Sequence, residues 1–111
     1  MPITAKWIPF NRASIEALAI KESGVYEVGK ALGNIVLYIG RSEASIRGRM
    51  LTHKGETRFR GCTHFRFRRA NPDSVQKAED RLLEGYKKQH GKYPPLNKNK
   101  SGDNYWKGIL Y

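Results

Sequence analysis

Apolar residues along this 111-residue chain come in short blocks, and each block has its own period. Ser14 to Ile20 carries helix formers behind an Asn11/Ser14 capping signal, which predicts a short amino-terminal helix ended by Lys21-Glu22-Ser23-Gly24. Val25 to Val28 and Ile35 to Ile39 are rich in β-branched residues and Tyr, and Gly29 to Asn34 supplies turn residues between them. The two runs therefore predict an antiparallel hairpin. Its second run is apolar on both faces, the pattern of a covered central strand. Ser45 to Lys54 follows a helical period, with Ile46 and Met50 on one stripe and Arg49 and His53 four apart. Thr63 to Arg69 alternates: Phe65 and Phe67 take one face of a half-buried third strand, and His64, Arg66 and Arg68 make the other face basic. Asn71-Pro72-Asp73 with Gln76 starts the best-marked helix, whose stripe is Val75, Ala78, Leu82 and Tyr86 and whose stop is Gly91. Pro94-Pro95-Leu96-Asn97 reads as a rigid turn and Lys98 to Asp103 as a polar loop. Tyr105 to Tyr111 is apolar enough to pack back on the domain.

One position breaks this pattern. At about 100° per residue Glu79 projects within about 20° of Tyr86 and about 60° of Leu82, which places a carboxylate in the apolar stripe. Such a group is costly unless it binds a cation or is fully hydrogen-bonded, so Glu79 is either a metal ligand or half of a structural ion pair. Tyr26 and Tyr38 lie on adjacent strands of the hairpin, where side chains of one face approach each other. Packing explains a strand tyrosine, but a phenol also serves as a general base when a nearby cation lowers its pKa. Arg49 and His53 pair a guanidinium with an imidazole, a combination suited to holding a phosphate and passing a proton; a solvated basic face is the plainer account.

Composition narrows the partner. Lys and Arg number 21 against 10 Asp and Glu, a formal charge of +11, beyond the magnitude of about 2–8 that suits a small soluble domain. Basic residues alternate with aromatics in Arg58-Phe59-Arg60 and His64-Phe65-Arg66-Phe67-Arg68-Arg69, which favours a polyanion with rings to stack, hence nucleic acid. A membrane is not expected. No segment separates a basic from an apolar face, and the longest apolar run, Ile35 to Ile39, is far short of the roughly 20 residues that span a bilayer. The start carries no secretory pattern, so the expected address is cytoplasmic. With Cys62 alone there is no intrachain disulfide, and three histidines make a closed zinc site improbable. The expectation is one domain over residues 1–111, with a helical extension at 1–23, a core region at 24–97 and a packed segment at 98–111.

Taken together, Gly24-Val25-Tyr26, Tyr38-Ile39-Gly40, Arg49-x-x-x-His53, Glu79-x-x-Leu82-Leu83 and Pro94-Pro95-Leu96-Asn97 resemble the GIY-YIG nuclease family in order and spacing, over residues 24–97. The resemblance implies an α+β fold, a small three-stranded antiparallel sheet flanked by helices, and metal-dependent hydrolysis of phosphodiester bonds in DNA. It implies that Tyr26 activates or positions the attacking water with Tyr38 beside it, that Arg49 stabilises the phosphoryl oxygens, and that His53 assists proton transfer or holds Tyr26. Glu79 would hold Mg²⁺ or Mn²⁺, and Asn97 would order the site or touch the substrate backbone. Lys30 and Arg41 are further candidates for phosphate contact. Arg47 is a rival register for Arg49, and the basic face of His64, Arg66 and Arg68 adds further positive charge. Family members usually carry an added domain that selects the target, and 111 residues leave no room for one. Low sequence specificity is expected unless the protein oligomerises or uses a protein partner. The alternatives are a non-catalytic nucleic-acid-binding module of the same fold, for DNA or structured RNA, and a small structural or ribosome-associated RNA-binding protein.

Overall fold

The computed structural model describes residue 3 and residues 5–97. The expected polar loop after Asn97 and the packed segment at 105–111 lie outside the described residues. In chain order the elements are β1 (Ile8–Pro9), α1 (Arg12–Leu18), β2 (Gly24–Lys30), β3 (Ile35–Ser42), α2 (Ile46–Lys54), β4 (His64–Arg69) and α3 (Val75–His90), with 3₁₀ turns at Thr57–Phe59 and Pro72–Ser74. The class is α+β, with a sheet of order β1-β4-β2-β3 whose neighbours all pair antiparallel.

Each helix is set by its ends. The Asn11 side chain accepts from the backbone N–H of Ser14 to open α1, and Ser45 does the same from Gly48 to open α2. Gly91 closes α3 at φ 83°, a left-handed conformation that suits glycine. The sheet then separates two cores. Tyr26, Val28, Tyr38 and Phe65 pack with Ile15 of α1 and with Ile46 and Met50 of α2. On the other face Val25 and Ile39 pack with Leu82 and Leu83 of α3.

Two expectations are corrected. The sheet has four strands rather than three, because Ile8 and Pro9 pair with Phe65 and His64 at the β4 edge. Two residues leave no period to read, and proline is tolerated there because an edge strand leaves one row of N–H groups unpaired. The apolar run Ile35 to Ile39 belongs to an edge strand, not a central one. Its two apolar faces come from helices above and below, Tyr38 joining the α1/α2 core and Ile39 the α3 core.

The outer edge of β3 is closed by the chain after α3. Leu96 N–H donates to the Leu37 carbonyl at 2.8 Å, and the Asn97 amide both donates to the Ile39 carbonyl at 2.9 Å and accepts from its N–H at 2.8 Å. Among the described residues, no helix is long and apolar enough to cross a membrane.

Candidate active site

The hairpin register sets Tyr26 opposite Gly40 and Val28 opposite Tyr38. Alternation therefore brings both tyrosines to the α2 side of the sheet, with ring centroids 6.2 Å apart. Gly40 is what permits this. A Cβ there would lie 2.5 Å from the Tyr26 hydroxyl and 2.8 Å from the Tyr38 ring, so the absence of a side chain makes the notch in which the phenols meet. His53 reaches the notch from the last turn of α2. Its ring packs 4.3 Å from Phe59 and 5.4 Å from Tyr38, and it is 1% exposed. Arg49 and His53 of the expected face differ in burial, Arg49 exposed and His53 in the core, but both act on the Tyr26 hydroxyl.

His53 is wired on both sides. Nδ1 lies 3.0 Å from a Glu56 carboxylate oxygen and Nε2 lies 2.7 Å from the Tyr26 hydroxyl. A carboxylate can only accept, so the imidazole proton sits on Nδ1, Nε2 accepts, and the phenol donates. Burial lowers the His53 pKa to about 4 despite the pull of Glu56, which keeps the ring neutral near pH 7. Burial works against charge on Glu56 too, but the His53 hydrogen bond and Arg58 outweigh it and lower its pKa. Tyr26 is fully buried, and burial raises its pKa with Arg49 opposing. The sequence-based idea that cations would lower this phenol's pKa is therefore corrected: desolvation wins. Burial raises the Tyr38 phenol as well, while Arg58 stands over its ring at 5.1 Å.

From the other side of the edge strand, α3 brings Glu79 to Arg41, with Nη1 to Oε1 at 2.5 Å. The Glu79 side chain is 9% exposed and that of Arg41 29%, and Arg41 divides its charge with Glu43 at 3.0 Å. Burial raises the Glu79 pKa more than Arg41 lowers it. Its carboxyl is therefore held above the usual carboxylate range in spite of the ion pair. Both readings of Glu79 stay open here, since it is half of an ion pair and also a carboxylate whose charge acts on both phenols. Among the described residues, no three His, Cys, Asp or Glu groups gather as a closed metal site. One carboxylate fits Mg²⁺ or Mn²⁺ that keeps most of its waters.

The other candidate residues fall elsewhere. Arg47 anchors α1, its Nε donating to the Ala19 carbonyl at 2.9 Å, whereas Arg49 acts on the Tyr26 hydroxyl. Lys30 ends β2, about 13 Å along the strand from Tyr26, and its charge acts on Cys62. His64 bonds to Thr63 at the far end of the sheet. Arg66 and Arg68 lie on the α3 side, where Arg66 is 9% exposed and paired with Glu27 at 2.7 Å, and Arg68 adds its charge to Glu27. The basic face of β4 is therefore no open phosphate track. The alternation was read correctly, but its polar side carries a buried carboxylate partner from β2. Asn97 has both ends of its amide on Ile39, beside Gly40, so it orders the strand.

Sequence reasoning missed Glu56 and Arg58. The spacing His53-x-x-Glu56 at a helix end was the available signal, since residues three apart are neighbours there. Comparison with protein-family models, with curated proteins and with solved structures gives no match to this chain.

Proposed function

We propose that this chain is a metal-dependent endonuclease that hydrolyses phosphodiester bonds in DNA with low sequence specificity, a catalytic domain of the GIY-YIG kind. The observation that carries the reading is the convergence at the Gly40 notch of Tyr26 and Tyr38 from the hairpin, Arg49 and His53 from α2, and Glu79 from α3, whose charge acts on both phenols. Binding alone needs no such set. Arg49, exposed at the rim, stabilises the charge that grows on the phosphoryl oxygens. A proton of the attacking water passes to the Tyr26 oxygen while the phenol proton passes to Nε2 of His53, and Glu56 stabilises the resulting imidazolium. With its pKa raised, Tyr26 acts as a relay and not as a standing phenolate. Glu79 would hold Mg²⁺ or Mn²⁺, which would supply Lewis-acid stabilisation of the leaving oxygen.

The test is nicking of supercoiled plasmid by wild type and Glu79→Ala, each with Mg²⁺, Mn²⁺ and chelator. Nicking that needs both metal and Glu79 is expected. Absence of nicking under every condition, with DNA binding retained, would instead assign a non-catalytic nucleic-acid-binding module. That second reading draws on the Arg41 contact, which compensates the Glu79 carboxylate without any metal.

A further inference from the structure

Between α3 and the sheet, on the side away from the tyrosines, lies a cavity of about 380 Å³. That volume falls at the lower end of the roughly 300–1,000 Å³ of small-molecule sites. Its floor is one cross-strand row, Ile39, Glu27 and Arg66, which β3, β2 and β4 set side by side. Val36 and Leu82 complete an apolar bed. A position between sheet and helix is ordinarily filled by apolar side chains, and a buried ion pair there adds little stability. Here the pair is held in place from outside. The Trp7 ring covers the Arg66 guanidinium at 4.1 Å and donates its indole N–H to Asn34, itself on the cavity wall. At the mouth Tyr86 and His90 stack with centroids 4.1 Å apart, and Arg81 adds a positive charge at the rim. The helix also leaves room. Gly85 faces the cavity, and a Cβ there would meet nothing within 4 Å.

We propose that this cavity is a nucleotide pocket: it takes one unstacked nucleobase, with the attached phosphate on Arg81. The ligand that fits has a flat ring for the Tyr86/His90 platform and the apolar bed, one edge with a donor beside an acceptor for Glu27 and Arg66, and a negative tail. Each common nucleobase carries an N–H beside an acceptor on its pairing edge, so the recognition is of bases as a class. Extruded bases are held elsewhere by this combination of edge hydrogen bonds and stacking. The pocket adjoins the candidate active site, because Ile39 precedes Gly40 and Leu82 follows Glu79 by about one turn. That the base belongs to a substrate strand rests on the endonuclease reading; that the cavity takes a nucleotide does not.

The test is titration of the whole chain with each nucleoside monophosphate and its parent nucleoside, followed by calorimetry and by backbone amide shifts. Saturable monophosphate binding that moves residues 81–90 and 27 is expected. Gly85→Leu, which fills the space and favours the helix, should abolish it without loss of thermal stability. Tyr86→Leu should weaken it at least tenfold, the scale of losing one stacking contact, and Arg81→Ala should weaken the monophosphate but not the nucleoside. Binding that survives Gly85→Leu, or no binding at millimolar ligand, overturns the pocket. A single-stranded oligonucleotide and its abasic counterpart then name the source. A preference for the intact strand assigns an extruded base, and equal affinity assigns a free nucleotide. Monophosphate binding by a chain that nicks no DNA keeps the pocket and removes the endonuclease.

Discussion

Two arginine–carboxylate pairs sit on either side of Ile39 and Gly40 with the same chemistry and different fates. Glu27 and Arg66 face each other across β2 and β4, their side chains 5% and 11% exposed, with Trp7 as a cover. Glu79 and Arg41 meet at the sheet edge, where Arg41 is 29% exposed and drawn also to Glu43. Burial raises the pKa of both carboxylates. The difference lies in what could replace the arginine. Glu27 lines the cavity, so a replacement would have to be a ligand bound there, whereas Glu79 shares Arg41, the more exposed of the two arginines, with Glu43. A locked pair suits recognition and a loose one suits exchange.

Breaking the locked pair should have the largest effect. Arg66→Ala leaves Glu27 buried without its charge partner and should lower the unfolding free energy by about 3–5 kcal/mol in urea titration. The double change Glu27→Leu with Arg66→Met should recover most of that loss, and failure to recover would show that the pair does more than compensate itself.

Acid gives the next largest change, and it acts through His53, outside both pairs. The unfolded imidazole takes its proton near pH 6.5 and folded His53 only near pH 4, so the unfolded chain binds more protons between those values and stability falls as pH drops through them. The loss attributable to His53 is on the order of 3 kcal/mol. Urea midpoints at pH 7 and 4.5 for wild type and His53→Asn isolate it, because other groups titrate in both proteins. An unchanged slope in the variant would show that His53 is not buried as a neutral ring.

Gly40→Ala should cost about 1–3 kcal/mol, since its Cβ must displace the Tyr26 hydroxyl or the Tyr38 ring. Thermal melting measures it, and a melt like the wild type would mean that the notch is wider than the rings require. Glu79→Gln should have the smallest effect on stability, within about 1 kcal/mol, because Arg41 keeps Glu43 and solvent. It should nevertheless remove metal-dependent nicking. A stability loss matching that of Arg66→Ala would erase the distinction between the pairs.

Much of this arrangement was legible in the chain. The hairpin, α2, β4 and α3 follow from period, and Glu79 was singled out because it interrupts one. Period reports which side a residue faces but not what waits there. Arg66 read as part of a basic, substrate-contacting strand face because its partner Glu27 lies 39 residues away on another strand. Glu56 went unnoticed because its meaning depends on where the His53 ring points. The edge position of β3 was hidden for a related reason: helices cover its faces while a side-chain amide covers its rim. The cavity could not be read either, since it is a space left by Gly85 opposite a charged row.

The Asn97 clamp has a consequence for synthesis. The side-chain amide stands in for a peptide group, so the outer row of β3 is completed by a residue 58 positions later in the chain. During translation β2 and β3 emerge early, and their edge stays open until residue 97 has cleared the ribosome. An open strand edge is a template for pairing with another chain. Chains stalled or cut before Asn97 should therefore associate through β3, and a late side chain acts as the seal on an early hairpin.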